Sequence, residues 1–385
     1  MSDFSEESVL EEARQTTGLS DFGDDHFREG LRVLLHTYDK TANFSDKGRR
    51  RHRRRIVQLL ATRLRIQEAL KQHPEIRERR IRRPLYLTGL PRTGTSALFN
   101  LLAMDPAARP LLLWEGIFPD PLDLPDGLEP GQTDPRLEAL RAHYERGRQS
   151  NPEFTKIHFT DADTPEECVM LLGHTFCDVQ MGIEPLMEPY GAWFQQQDLR
   201  PSYAYYHDLL KMLDWQRPGE RWLLKSPAHL WALDVLVETF PDACIVLTHR
   251  NPLEILPSYC SMMAALMVAR EPLDRSALGP TVLEFLARSL ERGLEARDRC
   301  DPRRFLDFQY EGFMTDPMKA VERIYAHFEL DFPPEAEAAM RAHVRTNPRG
   351  KHGEHEYAMA EYGLTPKLVK ERLAAYVERF ELPTD

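Results

Sequence analysis

The chain has 385 residues, 42 % of them apolar, enough to fill the core of one large domain or two ordinary ones. Its 61 acidic and 50 basic residues leave a net charge of −11, which argues against a surface built mainly to hold nucleic-acid phosphates. An anionic ligand therefore needs a local basic pocket.

The five cysteines, Cys168, Cys177, Cys244, Cys260 and Cys300, are odd in number and form no CxxC pair. This disfavours a disulfide scaffold or a thiolate metal site and leads us to expect reduced thiols in a cytoplasmic protein. The acidic start of the chain does not read as a secretory signal, and no window approaches the roughly 20 apolar residues of a membrane span. Peripheral membrane contact stays open, because Lys47 to Arg55 carries seven Lys or Arg residues. The expected reading of that run is a solvated helix face pairing with nearby acids, with contact to anionic lipid or nucleic acid as the alternative.

Across residues 1–80 apolar positions recur at helical spacing, as in Phe27, Leu31, Leu34, Leu35 and again Ile56, Leu59, Leu60, Leu64, which predicts a helical N-terminal extension. At Pro84 the character changes. Pro84–Gly89 reads as a short buried strand, followed by a turn and an apolar helix from about Gly94 to Met104. Pro119–Pro135, rich in Pro, Asp and Gly, reads as a surface loop. Arg221–Lys225 and Ala243–Thr248 read as strands, with the amphipathic segment Pro227–Phe240 between them. Arg304–Phe308 is a fourth strand, before a helix in which Met318, Val321, Ile324, Tyr325 and Phe328 share a face. This alternation implies an α/β fold with a central parallel sheet flanked by helices. We find no internal repeat.

The turn after the first strand carries the chemistry. Gly89, Gly94 and Ser96 fit the phosphate-loop pattern G-x-x-x-x-G-K-[ST], but Thr95 stands where the lysine that reaches the outer phosphates belongs. Backbone N–H groups at such a turn converge on an anion at the helix N-terminus. The cation is instead Arg92, whose guanidinium can fork onto a phosphate or sulfate. The strand Ala243–Thr248 runs into His249 and Arg250, with no aspartate to hold Mg²⁺. Positive charge is expected in place of a metal.

Taken together these residues resemble the PAPS-dependent sulfotransferase superfamily, most closely its broad bacterial branch; PAPS is 3′-phosphoadenosine 5′-phosphosulfate. Leu90–Ser96 is similar to the family's 5′-phosphosulfate loop. His249–Pro252 followed by Ser258 is similar to its 3′-phosphate motif, Leu224–His229 to its central lysine strand, and Tyr310, Glu311, Asp316 and Pro317 to the segment after the late strand. Asn347–Gly353 resembles the basic loop that closes over the nucleotide. The resemblance implies a P-loop-like fold with residues 1–80 as a helical extension and 81–385 as the sulfotransferase domain. It implies PAPS as co-substrate, with no metal expected, held by Pro91, Arg92, Thr93, Gly94, Thr95, Ser96, Arg250, Ser258, Arg349, Gly350 and Lys351. The expected acceptor is a hydroxyl or amine of a small molecule, lipid or sugar.

Sulfuryl transfer needs in-line placement and cations on the departing phosphate, a role that falls to Arg92 and Lys225. For the proton of the acceptor the first candidate is Glu115, shortly after the loop helix, with His158 and His229 as alternatives. Asp163 and the Pro165–Cys168 segment are expected to cap the following helix and receive no catalytic role. The aromatic residues Tyr190, Trp193, Phe194, Tyr203, Tyr205 and Tyr206 line an acceptor pocket or, as the expected reading, pack in the core. A P-loop kinase or hydrolase, which demands the missing lysine, and a nucleotide-binding regulator without turnover are the competing functions. Oligomeric state is not legible.

Overall fold

The apolar runs around Leu85, Leu223 and Ile245 become strands buried on both faces, the pattern of a parallel sheet covered by helices on each side. The computed structural model describes residues 4–121, 132–150, 161–179, 186–267, 274–347 and 358–383. Its strands are β1 (Leu85–Gly89), β2 (Ala108–Pro110), β3 (Arg221–Lys225), β4 (Cys244–His249) and β5 (Phe305–Gln309). They lie in the order β2-β3-β1-β4-β5, every pair parallel. The short edge strand β2 carried no recognisable sequence signal. The register sets Leu87 opposite Lys225 and Gly89 opposite Thr248, so three strands deliver their carboxyl ends to one place.

Alternation along the strands divides the interior. Leu85, Leu87, Leu223, Val246 and Phe308 face one cluster, built with helix α4 (Thr95–Leu102) and the helices between Tyr310 and Thr346. Tyr86, Trp222, Leu224, Ile245 and Leu247 face a larger cluster that also takes in the N-terminal helices. These are α1 (Glu6–Thr17), α2 (Phe27–Lys40) and the 27-residue α3 (Asp46–Gln72). The buried apolar side chains between Phe4 and Ile81 thus belong to the same continuous core as one face of the sheet.

The basic run lies in the first half of α3. Arg49 pairs with Asp39 at 2.9 Å, and Arg53 reaches Ser8 and Glu12. Lys47, Arg50, Arg51 and Arg54 are exposed, and His52 is buried, stacked on Phe44. The acids of α1 and α2 meet one side of this helix while the other is left to water. Of the aromatic group, all but Trp193 are buried, so packing is the role realised. Of the expected loop Pro119–Pro135, residues 122–131 lie outside the described residues.

Arg63 of α3 is fully buried. Its guanidinium donates to the carbonyls of Phe22 at 2.8 Å, Asp24 at 3.0 Å and His174 at 3.3 Å, sandwiched between the rings of Phe27 and Tyr205. Burial lowers its pKa, but an arginine stays charged, and three carbonyl dipoles with two ring faces take the place of a counter-ion. It ties the turn before α2 to the segment that precedes the aromatic cluster. Arg63→Met, which keeps the length and loses the donors, is expected to lower the unfolding free energy by about 3 kcal/mol or more. Urea denaturation checks this, and an unchanged midpoint contradicts it.

Candidate active site

The turn from β1 into α4 is bent by three residues in the left-handed region: Gly89 at φ 135°, Arg92 at 65° and Gly94 at 84°. At Gly89 a Cβ would fall 2.5 Å from the carbonyl oxygen of Thr248 on β4, and at Gly94 2.7 Å from the Tyr310 ring, so neither position accepts a side chain. Thr93 locks the turn by donating to the carbonyl of Leu90 at 2.6 Å and meeting the Thr248 hydroxyl at 2.6 Å. Pro91, Thr93 and Thr95 are buried, whereas Arg92 and Ser96 are exposed. Gly94 precedes α4 with no side-chain cap, which leaves the first-turn amides, without intrahelical partners, available to an anion.

Beyond β4, Asn251 caps the helix Pro252–Leu266 by accepting from the Leu253 amide. This start places Arg250 and Ser258 against the loop. Arg92 donates through Nε to the Ser258 hydroxyl at 3.0 Å, and Arg250 donates through Nη1 to the Arg92 carbonyl at 3.1 Å. The Arg250 guanidinium also lies 4.0 Å from the centre of the Tyr310 ring and pairs with Glu254 one turn on. Two guanidinium groups and a hydroxyl therefore gather beside the open helix end.

The third cation comes from β3. Lys225 is buried, and its Nζ donates to Ser96 Oγ at 3.2 Å and to Glu167 Oε1 at 2.7 Å. The second oxygen of Glu167 accepts from Ser226 Oγ at 3.2 Å. The backbone of residues 161–168 positions this carboxylate. It is stitched to the chain after β2 by Leu113 N to Thr164 O and Glu166 N to Leu111 O, and to the end of β3 by Cys168 N to Lys225 O. Glu167 keeps 27 % of its side-chain surface open and Lys225 4 %, so the pair is approached from the side of the carboxylate.

Comparison with known proteins identifies the chain. A model described as the sulfotransferase family matches residues 84–334. The chain belongs to the sulfotransferase family. The chain is 24 % identical over 271 residues, 64 % of its own length, to omega-hydroxy-beta-dihydromenaquinone-9 sulfotransferase Stf3 of Mycobacterium bovis, and equally so to Stf3 of Mycobacterium tuberculosis. It spans 63 % of the length of these relatives. The solved structure of sulfotransferase STF1 from M. tuberculosis H37Rv matches at 35 % identity with a TM-score of 0.85, over 97 % of this chain and 100 % of that one. STF9 from Mycobacterium avium matches at 30 % identity with a TM-score of 0.87, over 98 % and 97 %.

The expected proton acceptor, Glu115, lies in a buried ionic cluster. Glu115 is 2 % exposed, and both its oxygens are taken. Arg109 donates to each at 2.8 Å, Arg217 to each at 2.9 and 3.1 Å, and the Leu112 amide to one at 3.0 Å. Arg109 lies on β2 opposite Trp222, three residues and about 10 Å along β3 from Lys225. Glu115 is thus held by two arginines and a backbone amide on the side of β3 nearer its start. His229 is fully buried, its Nδ1 2.7 Å from the Tyr203 hydroxyl, and burial pushes its pKa down to about 3. It has no surface open to solvent. His158, Arg349, Gly350 and Lys351 lie outside the described residues.

Glu167, to which sequence reasoning gave no role, is the carboxylate that the fold sets on Lys225. Capping does not explain it: the helix Val169–Leu172 begins at Cys168 with no side-chain cap, and Asp163 pairs with Arg141. The one available signal was a pair of acids ahead of an apolar helix that needed neither.

Burial works against the charge of Glu115, but Arg109 and Arg217 outweigh it and hold the carboxyl below its ordinary 4.5. A lowered pKa contributes stability above the unfolded value and loses it as pH falls through the folded one. Glu115→Gln is therefore expected to cost about 2–3 kcal/mol near neutrality by leaving buried Arg109 without its counter-charge. The gap to the parent protein narrows below about pH 4.5, and transfer per folded molecule is retained. Denaturation across pH and active-site-normalised turnover check both parts; unaltered stability with collapsed turnover contradicts them.

Proposed function

We propose that this sulfotransferase moves a sulfuryl group from PAPS to a hydroxyl of a lipid-like small molecule, with Glu167 as general base and Lys225 as the cation on the leaving group. The observation that carries this reading is the Lys225–Glu167 pair, 2.7 Å apart at the carboxyl end of β3 and joined to the phosphate loop through Ser96. The residues at hand suit the donor. The turn from Pro91 to Ser96, with the open end of α4, suits a 5′-phosphosulfate, while Arg250 and Ser258 suit a 3′-phosphate. The Arg250–Glu254 pair is a partly exposed contact one helical turn apart, worth less than about 1 kcal/mol, so a dianionic phosphate displaces it readily. Arg349, Gly350 and Lys351 remain proposed as a clasp over the nucleotide.

The steps balance as a single displacement. Glu167 takes the proton from the acceptor hydroxyl, and the freed oxygen attacks sulfur in line with the bond to the 5′-phosphate. That sulfur–oxygen bond breaks, and Lys225 and Arg92 stabilise the charge that grows on the departing phosphate. The products are a sulfated acceptor, 3′-phosphoadenosine 5′-phosphate (PAP) and a proton on Glu167. Ser226, bonded to the second oxygen of Glu167, fixes the orientation of the carboxylate. Charge that a kinase draws from Mg²⁺ comes here from side chains, because β4 leads into His249 and Arg250 where a metal-binding acid would stand.

The acceptor class is supported by Stf3, whose name specifies a hydroxylated dihydromenaquinone. The donor, a cytoplasmic setting and independence of metal belong to the same proposal. Glu167→Gln is expected to lower kcat by about 10²–10⁴-fold while PAP affinity stays within about twofold of the parent. Turnover with a menaquinol-type alcohol, or any acceptor found by screening, measures the first and calorimetry the second. Undiminished turnover overturns the assignment of the base.

A further inference from the structure

Immediately before Arg250 stands His249, buried at the end of β4 and engaged on three sides. Its Nε2 lies 2.9 Å from Asp307 Oδ1 on β5, its Nδ1 lies 3.2 Å from the Tyr376 hydroxyl, and its ring stacks on Phe380 at 3.7 Å. Asp307 is itself gripped by Arg297 through both oxygens. An ionised carboxylate only accepts, so Nε2 carries the proton and Nδ1 accepts from the tyrosine. Burial lowers the pKa of His249 despite Asp307, consistent with this neutral form. Burial pushes the Tyr376 hydroxyl pKa up, so it too stays protonated and can donate to His249.

Tyr376 belongs to the short helix Ala374–Arg379, which is anchored independently. Arg379 forks onto Asp298, and Gln309 at the end of β5 donates to the Phe380 carbonyl at 2.8 Å. The last described helix of the chain is thus bonded to the residue that immediately precedes Arg250. None of these side chains points to a catalytic step. They converge instead on the backbone step from His249 to Arg250 at the end of β4.

We propose that the helix Ala374–Arg379 is a positioning clamp for Arg250, acting through Tyr376 and His249, and that it sets the preference of the enzyme for a 3′-phosphorylated nucleotide. This rests on the reading that Arg250 receives the 3′-phosphate. Linkage makes the coupling reciprocal: if docking of the helix favours the phosphate, the phosphate favours docking of the helix.

The test compares the parent protein, Arg250→Ala and Tyr376→Phe in calorimetry with PAP and with ADP, which lacks the 3′-phosphate. The parent is expected to prefer PAP and Arg250→Ala to lose most of that preference. Tyr376→Phe should weaken PAP binding about 3- to 10-fold, the worth of one hydrogen bond, with ADP affinity unchanged. A parent that binds both nucleotides equally overturns the 3′-phosphate reading and the clamp with it. If Arg250→Ala loses the preference but Tyr376→Phe keeps it, or weakens both nucleotides alike, the clamp alone falls. Hydrogen exchange of the parent decides the matter even if Tyr376→Phe does not fold. Saturating PAP should slow exchange across residues 366–383 more than saturating ADP, and equal rates overturn the clamp.

Discussion

The parallel register of β3, β1 and β4 is the constraint on which the rest of the molecule depends. Pairing Leu87 with Lys225 and Gly89 with Thr248 brings the residues that leave three strands into one crevice, where open α/β sheets bind ligands. A one-residue slip of β3 would turn Lys225 to the opposite face and separate it from Ser96. Burial of both faces opposes that slip, because the apolar residues of β3 fill two different clusters, Leu223 one and Trp222 and Leu224 the other. The core therefore fixes the chemistry by fixing the register.

Within the crevice the organisation is electrostatic. An acidic chain of net charge −11 gathers Arg92, Lys225 and Arg250 at the open end of a helix, with Ser96 and Ser258 beside them. The carboxylate in direct contact with Lys225 is Glu167. Ser226 holds the other oxygen of that carboxylate, and more than a quarter of its side chain stays open. Glu115, with two arginines and a backbone amide on it, has the opposite character: a buried carboxylate fully supplied with donors is a poor base. The two glutamates differ in what surrounds them.

Much of this was legible in the sequence because it is local. The strand Leu85–Gly89, the glycines that allow the turn, and the step from β4 to Arg250 and Ser258 follow from residues within ten positions of one another. The glutamate was not local: Glu167 meets Lys225 across 58 positions, through a segment held by backbone hydrogen bonds that carry no side-chain signature. Proximity in sequence to the loop helix favoured Glu115, yet the partner that fixes Glu115 is Arg109 on β2, a three-residue strand too short to leave a periodic signal. The buried surroundings of His229 were hidden for the same reason, since Tyr86, Tyr203 and Tyr206 come together only in the fold.

The central claim is that side-chain cations, and no Walker lysine with its metal, define the nucleotide site. Calorimetry of the intact protein with PAP and with ATP, each in EDTA and in excess Mg²⁺, tests it most directly. The account predicts tight binding of PAP that is indifferent to Mg²⁺ and exceeds that of ATP by at least about tenfold, or 1.4 kcal/mol. A preference for ATP that appears only with Mg²⁺ would contradict it.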